Sequence, residues 1–245
     1  MTRSDSAGSR ETRVIHDVHR RATSTLADLW ASPCAPAADV AEFRDFVVAM
    51  LEHHHTSEDE DLWPLLISRA AHLEPALRDL TAEHDELQQR LDELRVSPVG
   101  QGDANDLCDL VHRHLSHEEP SLLPALDRYV SDEEWDQFSA RTVATAPQEG
   151  LPFLLALIDE IASPEDAELI FSHVPAAARA TIPARRADGA RALAALRDVP
   201  IPPRRIRQPL TAAPTMVPWT CRRHSRTTTR CAGGSSGTLV ATSGA

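Results

Sequence analysis

Apolar residues between positions 11 and 130 recur at steps of three and four, the period of a helix with one buried face. Proline- and glycine-containing breaks interrupt this pattern at 31–39 and 97–103. The spacing therefore predicts four helices, over residues 11–30, 39–71, 74–95 and 104–130. Helices of this length with short connections predict an all-α fold, an up-down antiparallel four-helix bundle. Asp39 is a candidate cap, and Pro64 predicts a kink in the second helix.

Further helices are expected after the bundle. Ser131 and Glu134 have the spacing of a capping box, and residues 150–163 and 165–196 also have a helical pattern. The sequence from 198 to 245 is rich in Arg, Pro, Thr and Gly without a period, which predicts a disordered tail. We therefore divide the chain into a bundle (11–130), an accessory helical extension (131–197) and the tail.

Three of the predicted apolar stripes contain polar residues at positions that should face the core. The stripe of the second helix is Phe43, Val47, Met50, His54, Glu58, Leu62 and Leu65. That of the third is Leu73, Leu77, Leu80, His84, Leu87, Leu91 and Leu94. That of the fourth is Leu107, Val111, His114, Glu118, Leu122 and Ala125. A histidine or a His–Glu pair is thus expected inside the bundle on each of these helices.

The His–Glu unit occurs twice in the same setting. When Pro64 is aligned with Pro124, His54 aligns with His114 and Glu58 with Glu118. Residues four apart share a helix face, so each unit presents a nitrogen and an oxygen to one point. Either segment alone, HHHTSEDED above all, is typical of a solvated polar face. A single His84 is more typical of a core histidine, and it is the coincidence of all three stripes that indicates a site.

A buried carboxylate is costly unless it is paired or bound to a cation, and no arginine lies on these stripes. Two divalent metals held by two bridging glutamates and terminal histidines would neutralise the pair. Imidazole and carboxylate ligands suit iron, and manganese less well. On the first helix His16 is the favoured ligand and His19 its alternative, whereas the other histidines of these segments are expected to be exposed neighbours or to lie behind the ligands. These are His53, His55, His112 and His117.

Composition excludes several classes of protein. The chain has a formal net charge of −12, and residues 199–245 contain seven arginines and no acid. Residues 1–198 are therefore more acidic than the whole chain, and an acidic surface repels phosphate, so nucleic acid is not an expected partner. No apolar run is long enough to span a membrane, and residues 1–13 lack the apolar core of a signal peptide. Four scattered cysteines do not form a disulfide framework. We therefore expect a cytoplasmic protein.

The motifs IHDVHRR, HHTSEDEDLWP, AEHDEL and HLSHEEPSLLP, in this order, resemble those of hemerythrin-like (HHE cation-binding) proteins. The resemblance covers about residues 11–130 and implies a non-haem di-iron centre of the Fe–O–Fe type. Its implied ligands are His16, His54, Glu58, His84, His114 and Glu118. Oxygen-carrying members place two histidines four apart on the third helix, but Leu80 and Gln88 flank His84 at that distance here. The coordination shell is therefore expected to be more open, completed by water or a nearby histidine.

The resemblance favours a protein that binds or senses O2, or responds to NO or peroxide, over an enzyme. Two alternatives stay open at this point: an oxidase or peroxidase, and an iron-responsive interaction module without small-ligand chemistry. The extension at 131–197 is expected either to pack on the bundle or to contact a second copy or another protein.

Overall fold

The computed structural model describes residues 5–31, 36–100 and 103–197 of the chain, and the expected tail lies outside them. All regular structure in these ranges is helical, as the sequence predicted. The α-helices are α1 (Ala7–Trp30), α2 (Ala37–Ser57), α3 (Trp63–Arg69), α4 (Glu74–Val96), α5 (Ala104–Tyr129), α6 (Asp132–Thr145), α7 (Leu151–Ile161), α8 (Pro164–Ser172), α9 (Ala176–Arg179) and α10 (Ile182–Arg197). None of the helices described is both long and apolar enough to cross a membrane.

Four long helices close into a ring. Helix α1 packs against α2 and α5, and α4 packs against the same two helices from the other side. Short connections join successive members, so neighbouring helices run up and down as the sequence predicted. Helix α1 starts at Ala7, earlier than expected, because the Ser6 hydroxyl caps it by accepting a hydrogen bond from the Ser9 N–H.

The bundle has two apolar layers with a polar layer between them. One layer is centred on Phe43, Leu91 and Leu107, and the other on Leu66 and Leu126. On α2 with the π-helical segment, on α4 and on α5, the inward polar residues are bracketed by one buried apolar residue from each layer. These bracketing pairs are Leu51 and Leu62, Leu80 and Leu87, and Val111 and Leu122.

The second predicted helix is interrupted more extensively than by a kink. After α2 the backbone widens into a π-helical segment, Glu58–Leu62, in which the Trp63 N–H bonds to the Glu58 carbonyl five residues back. Pro64 lacks an N–H and its ring crowds the preceding turn, which is a physical reason for the wider turn. The predicted cap at Asp39 is wrong: α2 begins at Ala37, and Asp39 lies in its first turn.

The extension 131–197 forms helices that pack on the bundle. The capping box of Ser131 and Glu134 is present at the start of α6. Helices α6, α7 and α8 contact α1, and α10 packs on α7. The helical pattern expected over 165–196 is confirmed, and it is divided among α8, α9 and α10, because Pro175 cannot continue a helix from α8. Contact of this segment with a second protein stays a prediction.

Gly189 makes the crossing of α7 and α10 possible. A Cβ atom at this position would lie 1.8 Å from the carbonyl oxygen of Pro152, which is backbone and cannot move aside alone. We expect Gly189→Ala to lower the free energy of unfolding by about 2–3 kcal/mol, because overpacking forces the two helices apart. Thermal unfolding followed by circular dichroism measures this.

The matched control is Ala190→Ser on the exposed side of the same helix. Its expected effect is below about 0.5 kcal/mol. Equal melting temperatures for the two variants would contradict the described crossing.

Candidate metal centre

The structure brings all six sequence-predicted residues into the polar layer of the bundle. Helix α1 contributes His16, α2 contributes His54, and the π-helical segment contributes Glu58. Helix α4 contributes His84, and α5 contributes both His114 and Glu118. Five of the six side chains are at most 4% exposed, and His54 is the exception at 14%. Their role as ligands stays a prediction, but their convergence is a property of the fold.

Four of these residues form one group. Single ligand atoms of His16, His54, Glu58 and Glu118 all lie within 4.8 Å of one another. The His16 Nε2 is 3.7 Å from the Glu118 Oε1, and the His54 Nε2 is 3.3 Å from the Glu58 Oε1. We call this set the α1–α2 group, because its two histidines come from those helices.

Three histidines form a second group. His55, His84 and His114 each offer a nitrogen within the same 4.8 Å limit. The rings of His55 and His84 are stacked with centroids 4.4 Å apart, and the Nε2 atoms of His84 and His114 are 3.2 Å apart. We call this set the α4–α5 group.

The two glutamates lie between the groups. The Glu58 Oε1 faces His54, whereas its Oε2 is 3.5 Å from the His84 Nε2. The Glu118 Oε1 faces His16, whereas its Oε2 is 3.2 Å from the His114 Nε2. Each carboxylate therefore presents one oxygen to each group, which is the placement that two bridging ligands require.

The polar atoms at the centre lack hydrogen-bond partners. The orphaned buried atoms are the His16 Nε2, the His54 Nε2, the Glu58 Oε2 and both carboxylate oxygens of Glu118. Buried polar atoms are nearly always satisfied, and several unsatisfied ones directed at a common point need an explanation. A cation that accepts their lone pairs supplies it.

The charges of the two glutamates are strongly coupled. Burial and the neighbouring Glu118 raise the pKa of Glu58 well above its ordinary value. Burial also acts to raise the pKa of Glu118, but His16 and His114 outweigh it and lower that pKa. Like charges this close resist joint ionisation in an apolar interior, so both carboxylates are ionised together only when positive charge lies between them.

Burial holds two histidines of the centre, His54 and His55, in the neutral form that binds metals. Burial, followed by the nearby His19, lowers the pKa of His54 well below its ordinary value. Burial and His84 do the same for His55. Neutral imidazole has a free lone pair at neutral pH, so no proton has to be displaced before a metal binds.

Three of the histidines donate their other ring nitrogen to a carboxylate outside the centre. The Nδ1 of His84 is 2.9 Å from Asp59, that of His114 is 2.9 Å from Glu83, and that of His16 is 3.1 Å from Glu119. An ionised carboxylate only accepts, so each Nδ1 carries the proton and each Nε2 lone pair points inward. The side chains of Asp59 and Glu119 therefore orient histidines and are not merely solvated acids.

This arrangement leaves two lone pairs opposed. With both Nδ1 atoms donating outward, the Nε2 atoms of neutral His84 and His114 would face each other at 3.2 Å as two lone pairs. Burial acts to lower the pKa of His114, but hydrogen bonds to Glu118 and Glu83 outweigh it and raise that pKa, which favours a proton at this contact in the metal-free chain. Such a contact is repulsive unless a proton or a metal cation lies there. The α4–α5 group thus has the same requirement for positive charge as the two glutamates.

His55 is the residue that the sequence interpretation missed. Consecutive residues on a helix point about 100° apart, and α2 lies between α1 and α4. His54 therefore faces His16 while His55 faces His84. The sequence does contain a pattern that indicates a buried His55: Val48, Leu51 and His55 follow one another at steps of three and four, which is a second buried stripe on α2. Glu83 was also missed, because its partner His114 lies on another helix.

The remaining histidines divide into buried and peripheral ones. His19, the alternative to His16, is 1% exposed with its ring centroid 4.3 Å from that of His54, but it lies outside the α1–α2 group. Burial and His16 lower its pKa to about 3. His117 is exposed and bonded to Glu83, and His53 is bonded to Thr145 at the surface.

The donor set fits a pair of divalent transition metals. Five imidazoles and two carboxylates surround the centre, and no buried arginine or thiol lies in either group. Nitrogen and carboxylate oxygen donors suit iron, manganese and zinc, whereas the absence of a thiolate disfavours soft metals. The orphaned atoms, the opposed lone pairs and the two shared carboxylates all agree with two cations side by side.

The comparisons with known proteins agree with this chemistry. Residues 10–126 match the family described as the hemerythrin HHE cation binding domain. No curated protein and no solved structure is significantly similar to the chain. The matched segment covers nearly all of the four-helix ring and every residue of the two groups, so the bundle is similar, over residues 10–126, to the hemerythrin HHE cation binding domain.

Proposed function

We propose that the bundle holds two non-haem iron ions and uses them to bind or sense O2, or to respond to NO or peroxide. One observation carries the proposal: Glu58 and Glu118 each present one oxygen to either histidine group, and five of the atoms that meet there have no hydrogen-bond partner. Iron is preferred over manganese because five imidazoles accompany only two carboxylates.

When bound, an iron pair supplies redox-active positions that accept a small oxidant or gas. The chain itself supplies the neutral imidazoles, the two shared carboxylates and the outer acceptors that fix each ring. It also excludes bulk water, because all but one of the six sequence-predicted ligands are almost completely buried. We propose a cytoplasmic setting, which the buried free thiol of Cys108 and the scattered positions of the other cysteines support.

Metal content tests the proposal directly. The untagged protein should contain about two irons per chain and have the near-ultraviolet absorption of a diferric pair, which reduction removes. The double variant Glu58→Gln/Glu118→Gln should lose both.

The same double variant should shift stability in opposite directions with and without metal. In the metal-free chain at neutral pH, burial and Glu118 favour the protonated form of Glu58, which costs stability that an uncharged amide does not, so we expect a gain of about 1 kcal/mol, roughly 2–4 °C in melting temperature. In the presence of iron the original protein should be the more stable, because metal binding adds to folding free energy. Absence of metal from the original protein after anaerobic iron loading would refute the proposal.

His55 should be needed for the second metal. We expect His55→Gln to reduce the metal content towards one per chain, because the α1–α2 group stays complete while the α4–α5 group loses a nitrogen. Elemental analysis measures this. The control His53→Gln changes the adjacent surface histidine and should retain two metals. Two tightly held metals in both variants would exclude His55 as a ligand.

The outer carboxylates should control affinity without being ligands. Asp59→Asn weakens the acceptor that holds the His84 ring, so we expect metal affinity to fall by about 10–100-fold. Competition with a chelator measures this, and Glu60→Gln, an exposed neighbour, is the matched control. Indistinguishable affinities for the two variants would show that Asp59 does not orient His84.

A further inference from the structure

A cavity of about 120 Å3 adjoins the metal centre on the side covered by the extension. Its inner wall comes from α1, α2 and the π-helical segment, and its outer wall from α6 and α8. The apolar lining includes Ile15, Leu62, Phe138 and Ile170. The outer wall therefore lies beyond residue 126, where the match to the cation-binding family ends.

The cavity reaches two candidate ligands. His54 and Glu58 both line it. His54 is also the one sequence-predicted ligand with an appreciable exposed fraction, 14%, whereas the others are at most 4% exposed. A molecule in this space would therefore lie against the α1–α2 group without displacing its histidines.

Buried polar groups also line the cavity. The Nε2 of His173, the residue that follows α8, is 2.9 Å from one carboxylate oxygen of Glu11, and the Ser139 hydroxyl on α6 donates to the other at 3.3 Å. The side chains of Glu11 and His173 are each 7% exposed. Trp135 also lines the space, and its buried indole N–H has no hydrogen-bond partner.

We propose that this cavity binds a neutral aromatic or aliphatic alcohol of about the size of phenol next to the metal centre. A cavity of about 150 Å3 lined by apolar groups holds one benzene molecule, so the volume here suits a ring of that size or a short chain. The apolar lining disfavours a charged ligand. A hydroxyl can donate to Glu11, and its oxygen can accept from an N–H such as that of Trp135.

This inference rests on the proposed function, because it gives the metal centre an organic ligand rather than only a gas. It assigns a role to the extension: α6 and α8 form the wall that selects the ligand, and the bundle forms the wall that carries the metals. Glu11 and His173 act here as positioning residues for the ligand hydroxyl.

The experiment is calorimetric titration of the full-length, iron-loaded protein with phenol and with benzene, which has the same ring without the hydroxyl. We expect phenol to bind about tenfold more tightly, the effect of a hydrogen bond to a buried charged group. Bound phenol should also shift the absorption of the iron centre, since the cavity reaches His54 and Glu58.

Two variants locate the binding. Val143→Phe places a ring in the cavity from α6 and should abolish binding of both compounds, whereas the control Ala140→Phe on the exposed face of α6 should leave it unchanged. Glu11→Leu keeps a similar volume but removes the acceptor, so phenol affinity should fall to that of benzene while benzene affinity stays constant.

The outcomes separate this inference from the proposed function. A protein that holds two irons but binds neither compound, or binds both equally, overturns the proposed ligand and leaves the metal function intact. Phenol binding that survives Val143→Phe overturns the location. Phenol binding to a protein that takes up no metal supports the cavity and refutes the metal function.

Discussion

The structure depends on the burial of two carboxylates without a cationic side chain to neutralise them. Glu58 and Glu118 lie between five imidazoles, and burial lowers the pKa of two of these, His54 and His55, so that both stay neutral. Such an interior is unfavourable alone, since each desolvated carboxylate raises the free energy of the other. Bound cations would supply the missing positive charge, and the rest of the bundle holds the donor atoms in place.

The apolar layers on either side hold this arrangement in place. Leu51 and Leu62 fix the ends of the segment that carries His54 and Glu58, and similar pairs fix α4 and α5. The outer carboxylates then fix the ring rotations, which packing leaves open. The apolar core thus sets the positions of the candidate ligands, and hydrogen bonds set the orientation of their rings. A substitution in either should therefore change the geometry of the candidate metal centre.

The parts of the site that depend on one helix could be predicted from the sequence. His54 with Glu58, and His114 with Glu118, follow from four-residue spacing, and the fold follows from the apolar period. The place of His55 in the α4–α5 group could not be predicted, because it depends on how α2 is rotated between α1 and α4. The bond from His114 to Glu83 depends on two helices, and the cavity depends on how α6 and α8 dock. The π-helical turn and the division of 165–196 into three helices depend on local proline geometry that a periodic pattern does not contain.

Helix α1 has a position that distinguishes it from the other members of the ring. One side faces the bundle through His16, and the other is covered by α6, α7 and α8, so that even Glu11 is buried, in contact with Ser139 and His173 of the extension. A chain shortened to the segment that matches the cation-binding family would expose that second side to water. We therefore expect residues 10–126 alone to be less stable than the bundle with its extension, because that side of α1 would lose its apolar cover.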